Sequence, residues 1–164
     1  RRYASRKGIS LEDAARQIEA LIEGRWMRLF AEGKVQAFAG MVDALRVLSA
    51  AGLELALLSD YPIADKIQGL GLREEEFRIC VNAEEVGALK PHRAPFELVA
   101  DKLAISPGRI LYIGDREEYD VQGALDAGMQ AARVFEKTRP ETRAAFAFRR
   151  WSQLPRLMRW RGML

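Results

Sequence analysis

The chain has 164 residues, of which 49% are hydrophobic and 30% charged, a composition typical of one globular domain rather than of a disordered or fibrous protein. It contains no apolar run of the roughly 18 residues that a membrane-spanning helix needs, and no signal-peptide pattern opens it, so we expect a cytoplasmic protein with no membrane partner. The single cysteine, Cys80, excludes an internal disulfide, and the single histidine, His92, excludes a metal site built on a histidine pair.

The first predicted elements are two helices. Ser10 followed by Asp13 forms a capping-box pattern, and apolar residues then recur at helical spacing, which predicts a helix over residues 9–32. A second helix is predicted from about Met41 to Ala51, because its apolar residues again share one face.

From residue 53 onward, short apolar strands alternate with amphipathic helices. The predicted order is strand Leu53–Leu58, helix Ile63–Leu70, strand Arg78–Asn82, helix Pro95–Leu103, strand Ile110–Ile113, helix Glu117–Ala127, strand Gln130–Phe135 and a terminal helix from Ser152 to Met158. This alternation predicts an α/β fold with a mostly parallel sheet. Binding residues of such sheets lie where the carboxyl ends of strands meet the following helices.

One of these strand ends, Gly114–Asp120, carries a pair of carboxylates. Asp115 follows a buried strand and Asp120 lies one turn into the next helix, so both could face a hard cation such as Mg²⁺. The alternative is structural, because Asp115 and Glu118 also form a capping-box pattern.

Two other strand ends carry residues suited to phosphate. Ser59 and Asp60 follow the first strand, where a hydroxyl and a free backbone N–H suit a phosphate oxygen, although both are also common turn residues. Lys90 precedes Pro91 and is either a point cation for a phosphate or a solvated loop lysine. A hydroxyl, a lysine and a carboxylate pair, each after a strand, together predict a site for Mg²⁺-bound phosphate that lacks only a nucleophile.

Three segments resemble motifs of the haloacid dehalogenase-like (HAD-like) hydrolase superfamily, most of whose members are Mg²⁺-dependent phosphatases. LELALLSDYP resembles the second motif, GALKPHRAPFELVADKL the third, and ILYIGDREEYDVQGALDAGM the fourth. The resemblance implies a three-layer Rossmann-like core over residues 37–164, and residues 1–36 resemble the remnant of a helical cap.

The resemblance also implies roles for the strand-end residues. Ser59 and Lys90 would be catalytic, and together with Asp60 they would bind the phosphate. Asp115 and Asp120 would hold Mg²⁺, directly or through water.

The first motif of the family, Asp-x-Asp-x-Thr on an opening strand, does not occur in the 164 residues. In the family its first Asp attacks phosphorus and its second is the general acid and base. Its strand lies at the centre of the sheet, between the strands at 53–58 and 110–113. We therefore expect that these 164 residues alone are inactive, that their sheet has a gap and that the nucleophile lies upstream of Arg1.

The leading hypothesis is a HAD-like phosphatase acting on a small phosphorylated metabolite, and the alternative is a non-catalytic binding module that uses the phosphate site or the basic tail for a partner.

The basic tail is residues 133–161, which carry nine basic and two acidic residues and so have a net charge of +7. The net charge of the whole chain is +3, so the rest of the chain has a net charge of −4. An arginine-rich solvated face explains this segment, and the acidic remainder would repel a phosphate backbone, so we do not expect nucleic acid as a partner.

Overall fold

The computed structural model describes residues 8, 10, 12–13, 16–17, 20–21, 24–25, 28–29, 32, 35–60, 63, 67, 69–138 and 140–164. The chain divides into two compact units, Arg1–Gln36 and Ala37–Leu164. In the first unit the described residues between 12 and 29 are helical, and the backbone N–H of Asp13 donates to the Ser10 hydroxyl at 3.0 Å, as the capping pattern predicts. Ser10 and Glu32, at the two ends of the predicted helix over 9–32, are described and are not helical. The other residues of that helix lie outside the described ones, and its identity as a cap stays a prediction.

The second unit alternates strands and helices. Its strands are β1 (Ala56–Ser59), β2 (Ile79–Asn82), β3 (Leu111–Gly114), β4 (Gln130–Val134) and β5 (Phe146–Phe148). Its α-helices with assigned bounds are α1 (Met41–Ala50), α2 (Arg93–Leu103), α3 (Gln122–Asp126) and α4 (Leu154–Trp160). The predicted helix Ile63–Leu70 lies partly outside the described residues. No helix in the described part of the chain is long and apolar enough to cross a membrane.

All strand pairs are parallel, and they form two separate sheets. One sheet contains β1 and β2, and the other has the order β3-β4-β5. Within the described residues, neither β1 nor β3 has a strand on its second edge. The predicted α/β class with parallel strands is therefore confirmed, and the break between the sheets falls between the two strands that were expected to flank a missing one.

Helices cover both faces of the sheets. One core cluster packs α1 and α4 against β4 and β5, with Leu48 and Leu154 among its buried residues. The other packs α2 and α3 against the opposite face around the fully buried Phe96. Because side chains alternate along a strand, β4 supplies Ala132 to the first cluster and Ala131 to the second. The result is the three-layer arrangement of helices, sheet and helices.

A cavity of about 1010 Å³ is lined by every residue of β1 and of β3. Most of its lining residues are apolar, and the indole of Trp151 is among them. The Trp151 N–H is buried and has no hydrogen-bond partner within the described residues. A buried donor left unpaired costs about 1–3 kcal/mol, and unpaired strand edges carry the same kind of penalty. Among the described residues, the cavity is thus lined by strands β1 and β3, each of which has an edge without a paired strand, and by Trp151, whose N–H has no partner.

Three local features differ from the predictions. β5 is not predicted, because its three residues are too few for a strand pattern, and it forms by pairing with β4. The predicted helix Glu117–Ala127 opens with a wide π turn, Glu117–Val121, before α3. The terminal helix begins at Leu154, after a short 3-10 turn at Trp151–Gln153, rather than at a Ser152 cap.

Candidate active site

The carboxyl ends of β1 and β3 meet at one cavity. Ser59 is the last residue of β1 and Gly114 is the last residue of β3, and both residues line the cavity. Of the sequence-predicted site residues, Ser59, Lys90, Asp115 and Asp120 line this cavity and Asp60 does not. Tertiary structure therefore assembles four of the five predicted residues.

Lys90 and Asp120 form a buried ion pair in the cavity wall. The Lys90 ammonium donates to Asp120 Oδ1 at 2.7 Å and to the Tyr112 hydroxyl at 3.2 Å, and that hydroxyl lies 3.3 Å from Asp120 Oδ1. The Lys90 and Asp120 side chains are 14% and 5% exposed. The second Asp120 oxygen accepts the backbone N–H of Arg116 at 3.1 Å. Asp120 is therefore engaged at both oxygens.

These contacts determine the charge on Lys90. Burial opposes the ammonium charge, but the Tyr112 hydroxyl and the Asp120 carboxylate outweigh it, so the pKa of Lys90 lies above its ordinary value. Burial also raises the pKa of Tyr112. At neutral pH the site thus holds a lysine cation and a neutral phenol. The ammonium has three N–H donors, of which Asp120 and Tyr112 take two, so one has no partner among the described residues and could serve a ligand.

Asp60 contacts the lysine loop, and its predicted role at the phosphate stays a prediction. Its Oδ1 accepts the backbone N–H of Lys90 at 2.9 Å. The residue that directly follows Ser59 therefore ties the end of β1 to the lysine loop.

Asp115 is the carboxylate that fits a metal ion best. It lines the cavity and is exposed, and its carboxylate has no hydrogen bond or ion pair within the described residues. The capping alternative is wrong, because the turn after β3 begins at Glu117 with Arg116 as its N-cap and has no side-chain cap. The contacts of Asp120 favour a role in holding Lys90 rather than direct metal binding.

The predicted pair therefore fits Mg²⁺ in part. No cluster of three or more His, Cys, Asp or Glu residues suited to a metal is present in the described part of the chain. Mg²⁺ usually keeps several waters and takes one or two carboxylates. Asp115 meets that requirement as one ligand, and further ligands would have to come from water, substrate or other residues.

Arg133 and Glu117 hold the Asp115 segment in place. Arg133 Nε donates to the Asp115 carbonyl at 3.1 Å, and Arg133 forms an ion pair with Glu117 at 3.0 Å. Glu117 also accepts the Thr142 hydroxyl at 2.6 Å and the Arg143 backbone N–H at 2.8 Å. The sequence had placed Arg133 in a solvated basic face, but its side chain is only 19% exposed.

A glycine is required at the end of β3. A Cβ on Gly114 would collide with the side chain of Asp120. The wide turn over Glu117–Val121 folds Asp120 back onto this glycine, and π turns are frequent at functional sites. Gly114 thus allows the buried carboxylate to reach Lys90.

Tyr112 is a residue of the candidate site that the sequence reasoning missed. It lies in the middle of β3, and its ring packs edge-on against Phe96 with the centroids 4.9 Å apart. A tyrosine inside a predicted buried strand needs a hydrogen-bond partner for its hydroxyl, and this requirement could have identified Tyr112 from the sequence. The partners, Lys90 and Asp120, are 22 and 8 residues away along the chain.

Comparison with known sequences identifies related proteins. The chain is 31% identical over 123 residues to the phosphoglycolate phosphatase of Salmonella typhimurium, covering 73% of this chain and 48% of the relative. The phosphoglycolate phosphatase of Escherichia coli K12 is 30% identical over 123 residues with the same coverage. The chain thus spans about half the length of the curated relatives it matches.

Solved structures and a family model agree with this relationship. The 2-haloacid dehalogenase of Pseudomonas syringae pv. Tomato DC3000 has a TM-score of 0.65 at 27% identity, covering 77% of this chain and 55% of that one. The β-phosphoglucomutase of Clostridium difficile shares the fold, with a TM-score of 0.77 at 19% identity over 94% of this chain and 68% of that one. The family model for haloacid dehalogenase-like hydrolases matches residues 5–128, well over half of the chain. The chain therefore belongs to the haloacid dehalogenase-like hydrolase family.

Proposed function

We propose that this chain is part of a phosphatase that hydrolyses a small phosphorylated metabolite with the help of Mg²⁺. The observation that carries the proposal is one cavity lined by Ser59, Lys90 and Asp115, in which the Lys90 ammonium is buried and the Asp115 carboxylate has no partner among the described residues. A hydroxyl donor and a buried cation suit a phosphoryl group, and a free carboxylate suits its metal ion. The relatives named as phosphoglycolate phosphatases support a small phosphorylated substrate.

Each residue has a distinct role in this proposal. Ser59 donates its hydroxyl to a phosphoryl oxygen, and Lys90 directs its remaining N–H to a second one. Because Lys90 is largely buried, its charge acts with less solvent screening than a surface lysine would. Mg²⁺, when bound at Asp115, supplies positive charge that offsets the negative charge on the transferred phosphoryl. Arg133 holds the Asp115 backbone at the strand end.

The nucleophile is proposed to lie on a strand outside these 164 residues that fills the cavity between β1 and β3. Both strands present unused edges there, and the Trp151 N–H adds a donor without a partner in the described structure. An aspartate at the carboxyl end of a parallel strand in this slot would lie between Ser59 and Asp115. In the family such an aspartate attacks phosphorus as the alcohol leaves with a proton from a second acid, and water then releases phosphate from the aspartyl-phosphate.

The test uses the full-length reading frame from which this chain comes. Purified protein is assayed with p-nitrophenyl phosphate and with small phosphorylated carboxylic acids, including 2-phosphoglycolate. We expect turnover that a chelator removes and Mg²⁺ restores. Lys90→Ala should lower kcat/KM by about 100-fold or more. Lys102→Ala is the matched control, because Lys102 is an exposed lysine of α2 paired with Glu85 outside the cavity.

Two results would overturn the proposal. One is a full-length protein with no hydrolysis of any phosphate ester under any divalent metal. The other is hydrolysis that survives Lys90→Ala unchanged. An upstream sequence that encodes no Asp-x-Asp strand, combined with phosphate binding but no turnover, would instead establish the non-catalytic binding module.

A further inference from the structure

We propose that Asp60 and Tyr112 are positioning residues that hold Lys90 from its two ends. Asp60 Oδ1 accepts the Lys90 backbone N–H at 2.9 Å, and the Tyr112 hydroxyl lies 3.2 Å from the Lys90 ammonium. The inference rests on the proposed function of the same site. It assigns Asp60 to the lysine loop rather than to the phosphate.

The backbone end of Lys90 needs support because it lies on an exposed loop. Residues 87–92 connect the short turn Ala83–Val86 with α2, and Leu89 is 47% exposed. The Asp60 contact joins this loop to the end of β1. Because Asp60 directly follows Ser59, the same bond sets the spacing between the Ser59 hydroxyl and Lys90.

The ammonium end of Lys90 is held by groups that are themselves fixed. An ordered lysine side chain gives up about 1.5–2 kcal/mol of rotamer freedom, so its position must be enforced by contacts. Tyr112 can enforce it, because its ring packs edge-on against the fully buried Phe96. The ammonium lies 5.8 Å from the Tyr112 ring centroid, within the range of a cation–π contact. Asp120 supplies the ion pair, and Tyr112 adds a second hydrogen bond that selects one rotamer.

The role of Asp60 depends on its oxygen as an acceptor and not on its charge. A carboxylate near the phosphate would repel it, and Asp60 is absent from the residues that line the cavity. An asparagine keeps an Oδ1 acceptor of the same length without the charge, whereas an alanine removes the acceptor. A general-acid role makes the opposite demand, because asparagine has no carboxyl proton to give and would abolish it. The pair Asp60→Asn and Asp60→Ala therefore separates the two roles.

The kinetic test uses the full-length protein and p-nitrophenyl phosphate. Asp60→Ala should lower kcat about 10- to 100-fold, because misplacing a catalytic group by about 1 Å can cost that much, whereas Asp60→Asn should stay within about threefold of wild type. Tyr112→Phe should lower kcat about fivefold to tenfold with little change in KM, since a misplaced lysine affects the transition state more than the bound substrate. Controls are Asp101→Ala and Asp101→Asn on the exposed face of α2, and Tyr119→Phe, whose ring contact with Arg116 survives the change.

Hydrogen exchange provides a readout that does not require activity. The Lys90 amide, followed in a peptide covering residues 87–92, should exchange faster in Asp60→Ala than in wild type and as slowly as wild type in Asp60→Asn. Equal exchange in all three proteins would overturn the Asp60 assignment, as would loss of kcat in Asp60→Asn as large as in Asp60→Ala. An unchanged kcat in Tyr112→Phe would overturn the Tyr112 assignment. If wild type hydrolyses no phosphate ester, the proposed function fails, and the exchange data alone decide whether Asp60 holds Lys90.

Discussion

The Lys90 ammonium lies 2.7 Å from Asp120 Oδ1, although the two residues are 30 positions apart in the chain. This ion pair joins the loop after β2 to the turn after β3, and it lies in the wall of the cavity that the two strand ends share. Both side chains are largely removed from water, so each charge depends on the other for compensation.

Removing both members of the pair should cost less stability than the sum of the losses from removing each one alone. Lys90→Met leaves the Asp120 carboxylate buried without its cation, and we expect a loss of about 3–5 kcal/mol in the free energy of unfolding. Asp120→Asn should cost a similar amount, and the double variant should cost clearly less than the sum of the two. Urea unfolding of the four proteins measures the coupling. Additive losses would show that the two groups do not interact.

Gly114→Ala should be destabilising because the new methyl group would overlap the Asp120 side chain. Overpacking of this kind typically costs about 1–3 kcal/mol, and here it also displaces the carboxylate from Lys90. Gly108→Ala is the matched control, because the nearest atom to its Cβ would be the Gly128 carbonyl oxygen at 3.9 Å. Thermal and urea unfolding compare the two variants. A Gly114→Ala protein as stable as the Gly108→Ala protein would contradict the close approach of Asp120.

Asp115→Asn should weaken Mg²⁺ binding and leave the stability of the protein almost unchanged. The carboxylate is exposed and has no partner in the described structure, so its loss should change the free energy of unfolding by no more than about 0.5 kcal/mol. In the full-length protein the affinity for Mg²⁺, measured by titration calorimetry, should fall at least about tenfold. Asp101→Asn, an exposed change on α2, should alter neither quantity. Unchanged Mg²⁺ affinity in Asp115→Asn would exclude Asp115 as a ligand.

Glu117 should make the protein sensitive to acid. Burial favours its protonated form, but hydrogen bonds from the Arg143 N–H and the Thr142 hydroxyl and the Arg133 ion pair outweigh this, so the pKa of Glu117 lies below its ordinary 4.5. A carboxylate whose pKa is lowered in the folded state stabilises the protein fully above its ordinary pKa. That contribution is lost as the pH falls through the folded-state value.

The measurement is urea unfolding from about pH 7 to about pH 3 for wild type and Glu117→Gln. Wild type should be the more stable protein at neutral pH, and the difference between the two should shrink as the solution becomes acidic. Glu118→Gln, a change at an exposed neighbour, should follow wild type throughout. A difference that stays constant over this range would show that the Glu117 contacts do not depend on its ionisation.

The sequence was sufficient for local structure and for the types of groups in the site. Apolar runs ending in polar residues located four strands, and the strand-end rule selected Ser59, Lys90, Asp115 and Asp120, which line one cavity in the structure. These patterns depend on the period of a strand or helix and on the direction of parallel strands, and both can be read locally. The sequence did not predict β5, because three residues are too few to show the alternation of a strand and because β5 forms by pairing with β4.

The partner of each polar group was decided only by the tertiary structure. Asp115 and Asp120 look alike in the sequence, yet one carboxylate is exposed and free in the described structure while the other is buried against Lys90, Tyr112 and the Arg116 N–H. Asp60, which the sequence analysis assigned to the phosphate, accepts the Lys90 backbone N–H, a contact between residues 30 positions apart. The sequence by itself determined the α/β family and the chemical groups at the strand ends. Which charges pair and which stay available depends on distances between residues far apart in the chain, and these are determined by how β1, β3 and α2 pack together.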